Sequence, residues 1–259
     1  MRPVLSFSAV VLFVLVPAVA SAAPPKEAKR GRTARVQKTQ KAEPKACMKG
    51  AIEVLGAGEA ATFSLARCDG TPVPSAVDEL SILARPGSAP RPKITVESLG
   101  KTHGPQVAPG IRRLDARLLE RIEQAVDHFR KPGAAAKIQI VSGVRPKSAG
   151  SYHQSGRAID FRVDGVQNEA LVAFCKTLQD TGCGYYPNST FVHMDVRNAG
   201  AGHVAWIDVS RPGEPPKYVT AWPAPGDDPA KLPALPPDEQ PSLSMRRPAG
   251  EAGKHPLFF

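Results

Sequence analysis

The sequence predicts an α+β fold in which helices flank a small, largely antiparallel sheet. One observation is a segment with apolar residues at helical spacing, followed by a clear stop signal. The other is a series of short alternating segments joined by tight turns, without the regular strand–helix alternation of parallel sheets. We expect this folded core to span residues 91–210, which is an ordinary size for one domain.

Two helices are predicted within this core. The first is followed by Lys131-Pro132-Gly133, a combination that ends helices. The second follows Asn168, a residue type that caps helix N-termini. The apolar positions of the first are Leu114, Leu118, Ile122, Ala125, Val126 and Phe129, and those of the second are Leu171, Phe174, Cys175 and Leu178.

The predicted strands are short and rich in β-branched or alternating apolar residues. Four of them lie in the core, at residues 137–141, 158–163, 190–196 and 204–209. A fifth, at residues 61–65, lies in a small segment at 46–90. This segment is either an accessory unit or an N-terminal extension of the main domain.

Composition excludes several classes of protein. The chain has 259 residues, of which 42% are hydrophobic, and its formal net charge is +10. It is too apolar for a wholly disordered protein, but its 27 Pro residues indicate that part of the chain is unfolded. Residues 211–259 carry much of this proline and are predicted to form a disordered tail.

The N-terminus predicts export. A positive start, an apolar run ending at Pro17 and the small residues Ala20-Ser21-Ala22 form a secretory signal peptide at 1–22. The run is too short for a bilayer span, and the protein is expected in the periplasm or outside the cell. Residues 23–45 carry eight Lys or Arg and two Glu, so a basic disordered linker is predicted, with weak attraction to anionic wall or lipid surfaces. Export argues against nucleic acid as a partner.

The four cysteines can form disulfides in an exported protein. Three connectivities are possible, of which local pairing is the simplest: Cys47 with Cys68 and Cys175 with Cys183. A zinc site made of these cysteines is disfavoured because no CxxC spacing occurs.

The candidate chemistry lies between residues 142 and 206. His153 precedes a glycine-containing turn, and Asp160 follows within an apolar strand, where a carboxylate needs a partner. That partner is a metal ion, or an arginine such as Arg157 or Arg162. His193 and Asp195 alternate on one face of a later strand, so His193 can complete a metal site of three protein ligands.

A set of motifs in this region resembles the D-Ala-D-Ala metallopeptidase family, and in particular its exported murein endopeptidase-like branch. The motifs are SGVR at 142–145, HQSGRAID at 153–160, GYYPNS at 184–189, FVHMD at 191–195 and Trp206. The resemblance covers about residues 91–210. It implies the zinc fold that these enzymes share with lysostaphin-type enzymes and the hedgehog signalling domain.

The resemblance implies a zinc peptidase acting on peptidoglycan cross-links or stem peptides, as a D,D-endopeptidase or a carboxypeptidase. Zn²⁺ would be held by His153, Asp160 and His193. Arg145 would pair with a substrate carboxylate or stabilise the oxyanion.

One position departs from the family pattern. Thr190 stands where many relatives carry a Glu general base, three residues before the last His. We therefore assign the base to Asp195, with the alternative that Asp195 only orients a ligand. A non-catalytic wall-binding module with a structural zinc is the competing hypothesis for the whole domain.

Overall fold

The computed structural model describes residues 47–221, residue 231, residues 233–234, residues 236–238 and residue 240. The predicted signal peptide, the basic linker and much of the predicted tail lie outside the described residues. Within them, no helix has both the length and the apolar character needed to cross a membrane.

Three α-helices and ten strands make up the described fold. The helices are α1 (Pro74–Leu83), α2 (Ala116–Phe129) and α3 (Asn168–Cys175). The strands are β1 (Ile52–Gly56), β2 (Glu59–Phe63), β3 (Gln106–Ala108), β4 (Ile111–Arg112), β5 (Ala136–Ser142), β6 (Ala158–Val163), β7 (Thr181–Tyr185), β8 (Val192–Val196), β9 (His203–Asp208) and β10 (Tyr218–Val219).

Eight strands form one sheet in the order β10-β9-β7-β8-β6-β5-β1-β2. Most neighbouring pairs are antiparallel, and the parallel ones in this sheet are β1 with β5 and β7 with β9. The α+β class with a largely antiparallel sheet is therefore confirmed. The sheet is larger than the sequence predicts. Strand β7 contains two glycines and β10 has only two residues, which weakens their strand patterns, whereas the alternating strand β1 is absent from the prediction.

The helices cover one face of the sheet. From β6, Ile159 and Phe161 belong to the apolar core that also contains the buried residues of α2 and α3. Because side chains alternate along a strand, Asp160 and Arg162 point to the opposite face. Burial of the apolar set thus places the polar residues of β6 and β8 together on the other side of the sheet.

The segment at 46–90 extends this same sheet. Strand β1 pairs with β5 in parallel, β2 pairs with β1, and α1 packs against both. Helix α1 begins with proline at its first turn, where the missing N–H costs nothing. Strand β10, at the other edge, lies within the region predicted as a disordered tail.

The helix and strand predictions in the core agree with the structure, with small shifts. Helix α2 begins after Asp115, whose side chain accepts from the Arg117 N–H at 3.0 Å. The prediction that Asn168 caps α3 is wrong, because Gln167 occupies the cap position and makes no side-chain cap bond. The Asn168 side chain instead donates to the Ser189 carbonyl at 3.3 Å, which fastens the loop before β8.

The two disulfides follow the local pairing. Cys47 is joined to Cys68, next to the β1–β2 hairpin, and Cys175 is joined to Cys183. The second bridge connects the end of α3 to the middle of β7, immediately beside the strand that carries His193.

Candidate metal centre

Strand pairing brings the predicted metal ligands together. Asp160 on β6 lies directly opposite His193 on β8. His153 comes from the turn before β6, where Gly156 adopts a positive φ of 74° close to the backbone of Arg113. A side chain at Gly156 would meet that backbone, so glycine is needed for the turn that delivers His153.

The distances among the three ligand atoms suit a zinc ion. His153 Nε2 lies 3.1 Å from His193 Nδ1, and Asp160 Oδ1 lies 2.9 Å from His193 Nδ1 and 3.5 Å from His153 Nε2. A tetrahedral ion with ligands at 2.0–2.1 Å places them about 3.3 Å apart. His153, Asp160 and His193 therefore can hold a metal, as their clustering also indicates.

Hydrogen bonds fix which nitrogen of each imidazole faces the cluster. His153 Nδ1 lies 2.6 Å from the Gly143 carbonyl, so its proton is on Nδ1 and the lone pair of Nε2 is free. His193 Nε2 lies 3.2 Å from Asp195 Oδ2, so a neutral His193 that donates to Asp195 carries its lone pair on Nδ1. Two lone pairs and a carboxylate oxygen then converge on one point, an arrangement that a cation stabilises.

The charges of two of the three ligands, His153 and Asp160, also fit metal binding. Burial, followed by the nearby Arg145 charge, lowers the pKa of His153 to about 4, so its imidazole is neutral at neutral pH. Burial acts to raise the pKa of Asp160, but the charge of Arg145 and contacts with the two histidines hold it well below its usual value. Burial also opposes a charged His193, yet hydrogen bonds to Asp160 and Asp195 raise its pKa.

Arg145 lies against the ligand cluster. Its Nη2 donates to Asp160 Oδ2, and its Nε donates to Ser142 Oγ at 2.8 Å. The guanidinium is 4% exposed. The structure thus brings the motif arginine to the oxygen of Asp160 that does not face the histidines, where it holds that carboxylate in its charged form.

Asp195 lies on the far side of the His193 ring from the other ligands. It contacts Nε2, whereas Asp160 and His153 face Nδ1. Asp195 is fully buried and paired with Arg197, whose Nη2 lies 3.2 Å from Oδ2 and whose Nε lies 3.1 Å from Oδ1. This geometry suits a group that orients the ligand ring.

Two residues of this arrangement are absent from the sequence predictions, Arg197 and Gly182. A Cβ at Gly182 would clash with two side chains, because it would lie 2.1 Å from Asp195 Oδ2 and 2.5 Å from Arg197 Nη2. The alternation of His193, Asp195 and Arg197 along one strand face is the signal that could have identified the arginine.

An aromatic wall borders the cluster. The Trp206 ring lies 5.1 Å from that of His193, and its Nε1 donates to the Tyr186 hydroxyl at 3.3 Å. Both residues are buried, and burial with the Asp160 charge raises the pKa of Tyr186 well above its usual value. Gly184 makes room for the indole, since a Cβ there would lie 2.7 Å from it.

The central segment of the chain is similar to a known family of peptidases. Residues 108–201 match the family model Peptidase_M15_2, described as peptidoglycan L,D-endopeptidase MepK. The predicted resemblance to the D-Ala-D-Ala metallopeptidases is confirmed. The matched segment contains His153, Asp160 and His193, together with Arg145 and Asp195.

Curated proteins with the same description also match this chain. A probable peptidoglycan L,D-endopeptidase MepK of Haemophilus influenzae is 36% identical over 73 residues, covering 23% of this chain and 39% of the relative. The peptidoglycan L,D-endopeptidase MepK of Escherichia coli K12 is 33% identical over 76 residues, covering 24% of this chain and 42% of the relative. The chain thus spans about two fifths of the relatives it matches. No solved structure matches it.

Proposed function

We propose that this protein is an exported zinc peptidase that cleaves peptide bonds in peptidoglycan. The observation that carries the proposal is the convergence of His153 Nε2, Asp160 Oδ1 and His193 Nδ1 at distances that suit a tetrahedral ion. Three protein ligands leave one position for water or substrate, which distinguishes catalytic zinc sites from structural ones. We further propose that the sheet is the zinc fold of this peptidase class.

The bond cleaved is proposed to be an L,D bond within a stem peptide or cross-link. The relatives are named L,D-endopeptidases, whereas the family resemblance stated from the sequence implies a D,D-endopeptidase or a carboxypeptidase. We give priority to the L,D bond because the family model with that description matches residues 108–201, which contain all three ligands.

When bound, Zn²⁺ would activate water and polarise the scissile carbonyl. The chain's own groups set up the site: Arg145 keeps Asp160 ionised, and the Gly143 carbonyl fixes the tautomer of His153. We propose that Asp195 positions His193 and is not the general base. Support comes from its contacts, which go to His193 Nε2 and to Arg197.

A second candidate is the non-catalytic wall-binding module with a structural zinc. One observation favours it. Thr190 is exposed, and it stands at the position where many members of the family that the motifs resemble carry a Glu general base. Both candidates require the same metal ligands, and they differ only in whether a bond is broken.

Export and wall contact are part of the proposal. Two disulfides fit an oxidising compartment, and the names of the relatives specify peptidoglycan. We keep residues 1–22 as a signal peptide, 23–45 as a basic linker toward anionic wall or lipid surfaces, and 211–259 as a proline-rich tail.

The test is mass spectrometry of muropeptides released from purified peptidoglycan by the mature, zinc-loaded protein. The proposal expects cross-linked dimers to disappear, with fragment masses that identify an L,D or a D,D cut. His153→Ala abolishes this change, and His103→Ala, at an exposed histidine, leaves it intact. Cleavage that persists in His153→Ala would contradict the proposal. Zinc binding with an unchanged muropeptide profile would favour the wall-binding module.

A further inference from the structure

A cavity of about 620 Å³ lies at the C-terminal end of β6, the strand that carries Asp160. Its lining residues come from the end of β6, the start of α3 and the loop before β8, and include Arg162, Glu169, Tyr185, Tyr186 and Thr190. Two of these connect it to the metal centre. Tyr186 borders the cluster through Trp206, and Thr190 lies three residues before His193.

Arg162 is on the same strand face as Asp160. The two are two residues apart on β6, which separates their backbones by about 6.6 Å. Arg162 also lies opposite Gln139 on β5, and its Nε donates to Gln139 Oε1 at 3.0 Å. The side chain of Arg162 therefore extends from β6 toward β5, and Gln139 holds it in place.

The guanidinium of Arg162 has no carboxylate partner among the residues that the structure describes. Its Nε and Nη2 both donate to one amide oxygen, that of Gln139. The amide fixes the plane of the guanidinium and leaves its charge uncompensated. A half-buried arginine held in this way has retained its capacity for a charge-assisted contact with an anion.

The acidic residue nearest to the α3 end of the cavity is already engaged. Glu169 Oε1 accepts from the Tyr185 hydroxyl, and burial together with this contact raises the pKa of Tyr185 above its usual value. Asp164, which also lines the cavity, is exposed to solvent. Of the described residues that line the cavity, Arg162 is the one with a permanent positive charge.

We infer that Arg162, oriented by Gln139, binds a carboxylate of the substrate peptide in this cavity. The inference rests on the proposed peptidase function and specifies the substrate as a peptide with a free carboxylate near the scissile bond. An extended peptide advances about 3.3–3.6 Å per residue. The backbone spacing of about 6.6 Å between Arg162 and Asp160 corresponds to about two residues of such a peptide, so we infer a carboxylate within a few residues of the bond that is cleaved.

The experiment uses the mature, zinc-loaded protein and two versions of one cross-linked muropeptide. One version keeps its stem-peptide carboxylates, and in the other they are converted to amides. Cleavage is measured as kcat/KM, and calorimetry gives Kd for an uncross-linked stem peptide in the same two versions. The variants are Arg162→Gln and Arg162→Lys, with Arg121→Gln as the matched control. Arg121 binds Thr181 and the Gln179 carbonyl.

Arg162→Gln is expected to lower kcat/KM about 10-fold or more for the carboxylate substrate, with a parallel rise in Kd. The same variant should change the amidated substrate less than about 3-fold, because the charge pair is already absent there. Arg162→Lys should recover only part of the lost kcat/KM, because lysine keeps the positive charge but lacks the paired, planar N–H donors of a guanidinium. Arg121→Gln should behave like the unchanged protein with both substrates.

Equal losses on both substrates, or no loss on either, would overturn the inference. Failure of the proposed function gives a different result. If the protein binds stem peptides without cleaving the muropeptide, the peptidase proposal fails and Kd alone decides the role of Arg162. If it neither binds nor cleaves either version, both proposals are contradicted.

Discussion

Asp195 lies 3.2 Å from the nitrogen of His193 that faces away from the other candidate ligands. This relationship sets the direction of the lone pair on Nδ1, which in turn faces Asp160 at 2.9 Å. A carboxylate behind a ligand imidazole raises the basicity of that ligand and fixes its ring. The candidate metal centre therefore consists of the ligands themselves and of residues such as Asp195 that orient a ligand. The orienting residues can be tested separately from the ligands.

Replacement of Asp195 distinguishes a positioning residue from a general base. Asp195→Asn is expected to weaken zinc binding 10- to 100-fold, because the ring of His193 is no longer held by a charged acceptor. Competition with a chelator of known affinity measures this change. If zinc affinity is unchanged while kcat collapses, Asp195 acts on the substrate or its water instead.

Arg197 stabilises the buried Asp195 carboxylate. Arg197→Met leaves that carboxylate without its cation, and we expect a loss of about 3–5 kcal/mol in the free energy of unfolding, measured in urea. Arg91→Met is the control, because Arg91 is 44% exposed in its contacts with Glu59 and Glu79, and such pairs contribute at most about 1 kcal/mol. Equal losses in the two variants would contradict a special role for Arg197.

Gly182 is required for space. In Gly182→Ala the new methyl group would clash with the Asp195 carboxylate and the Arg197 guanidinium, so both stability and zinc affinity should fall. Thermal unfolding with and without zinc measures the two effects. Gly87→Ala is the matched control, since nothing lies within 4 Å of a Cβ there. A stable Gly182→Ala protein with full zinc affinity would show that this packing is not needed.

Glu123 makes stability depend on pH. Burial on α2, followed by the charge of Asp127, raises its pKa to about 7 from a usual 4.5. The folded protein thus binds more protons than the unfolded chain between these values, so the contribution of Glu123 to stability is full below pH 4.5 and is lost as pH rises through 7.

Glu123→Gln should remove this dependence. The stability difference between variant and parent is expected to grow by on the order of 2–3 kcal/mol, in favour of the variant, from pH 4.5 to pH 8. Urea unfolding across that range measures it, and Glu120→Gln on the same helix serves as the control. A parallel pH profile for parent and Glu123→Gln would contradict the assignment.

The strongly patterned elements could be predicted from the sequence. The apolar stripe of α2 and the alternation in β6 are determined locally, so their bounds follow from the residues themselves. Strand β7 could not be predicted, because Gly182 and Gly184 weaken its strand pattern. Those glycines are explained only by what lies across from them, the Asp195–Arg197 pair and Trp206.

The residues of the candidate site also divide into those that the sequence predicts and those that only the fold explains. The three ligand residues could be identified from motif spacing and resemblance, and strand register brings them together. The partners that orient them could not all be identified, because the pairing of Arg197 with Asp195 depends on burial of the whole strand. Arg162 was expected as a possible partner of Asp160, but it contacts Gln139, and Arg145 takes that position.

The most direct test of the metal centre is elemental analysis of the purified mature protein after exposure to zinc and removal of the excess. The three-ligand site predicts about one zinc per chain, and far less in His193→Ala, while His103→Ala retains the full amount. One zinc per chain in His193→Ala, or none in the unchanged protein, would contradict the assignment of His153, Asp160 and His193 as the metal ligands.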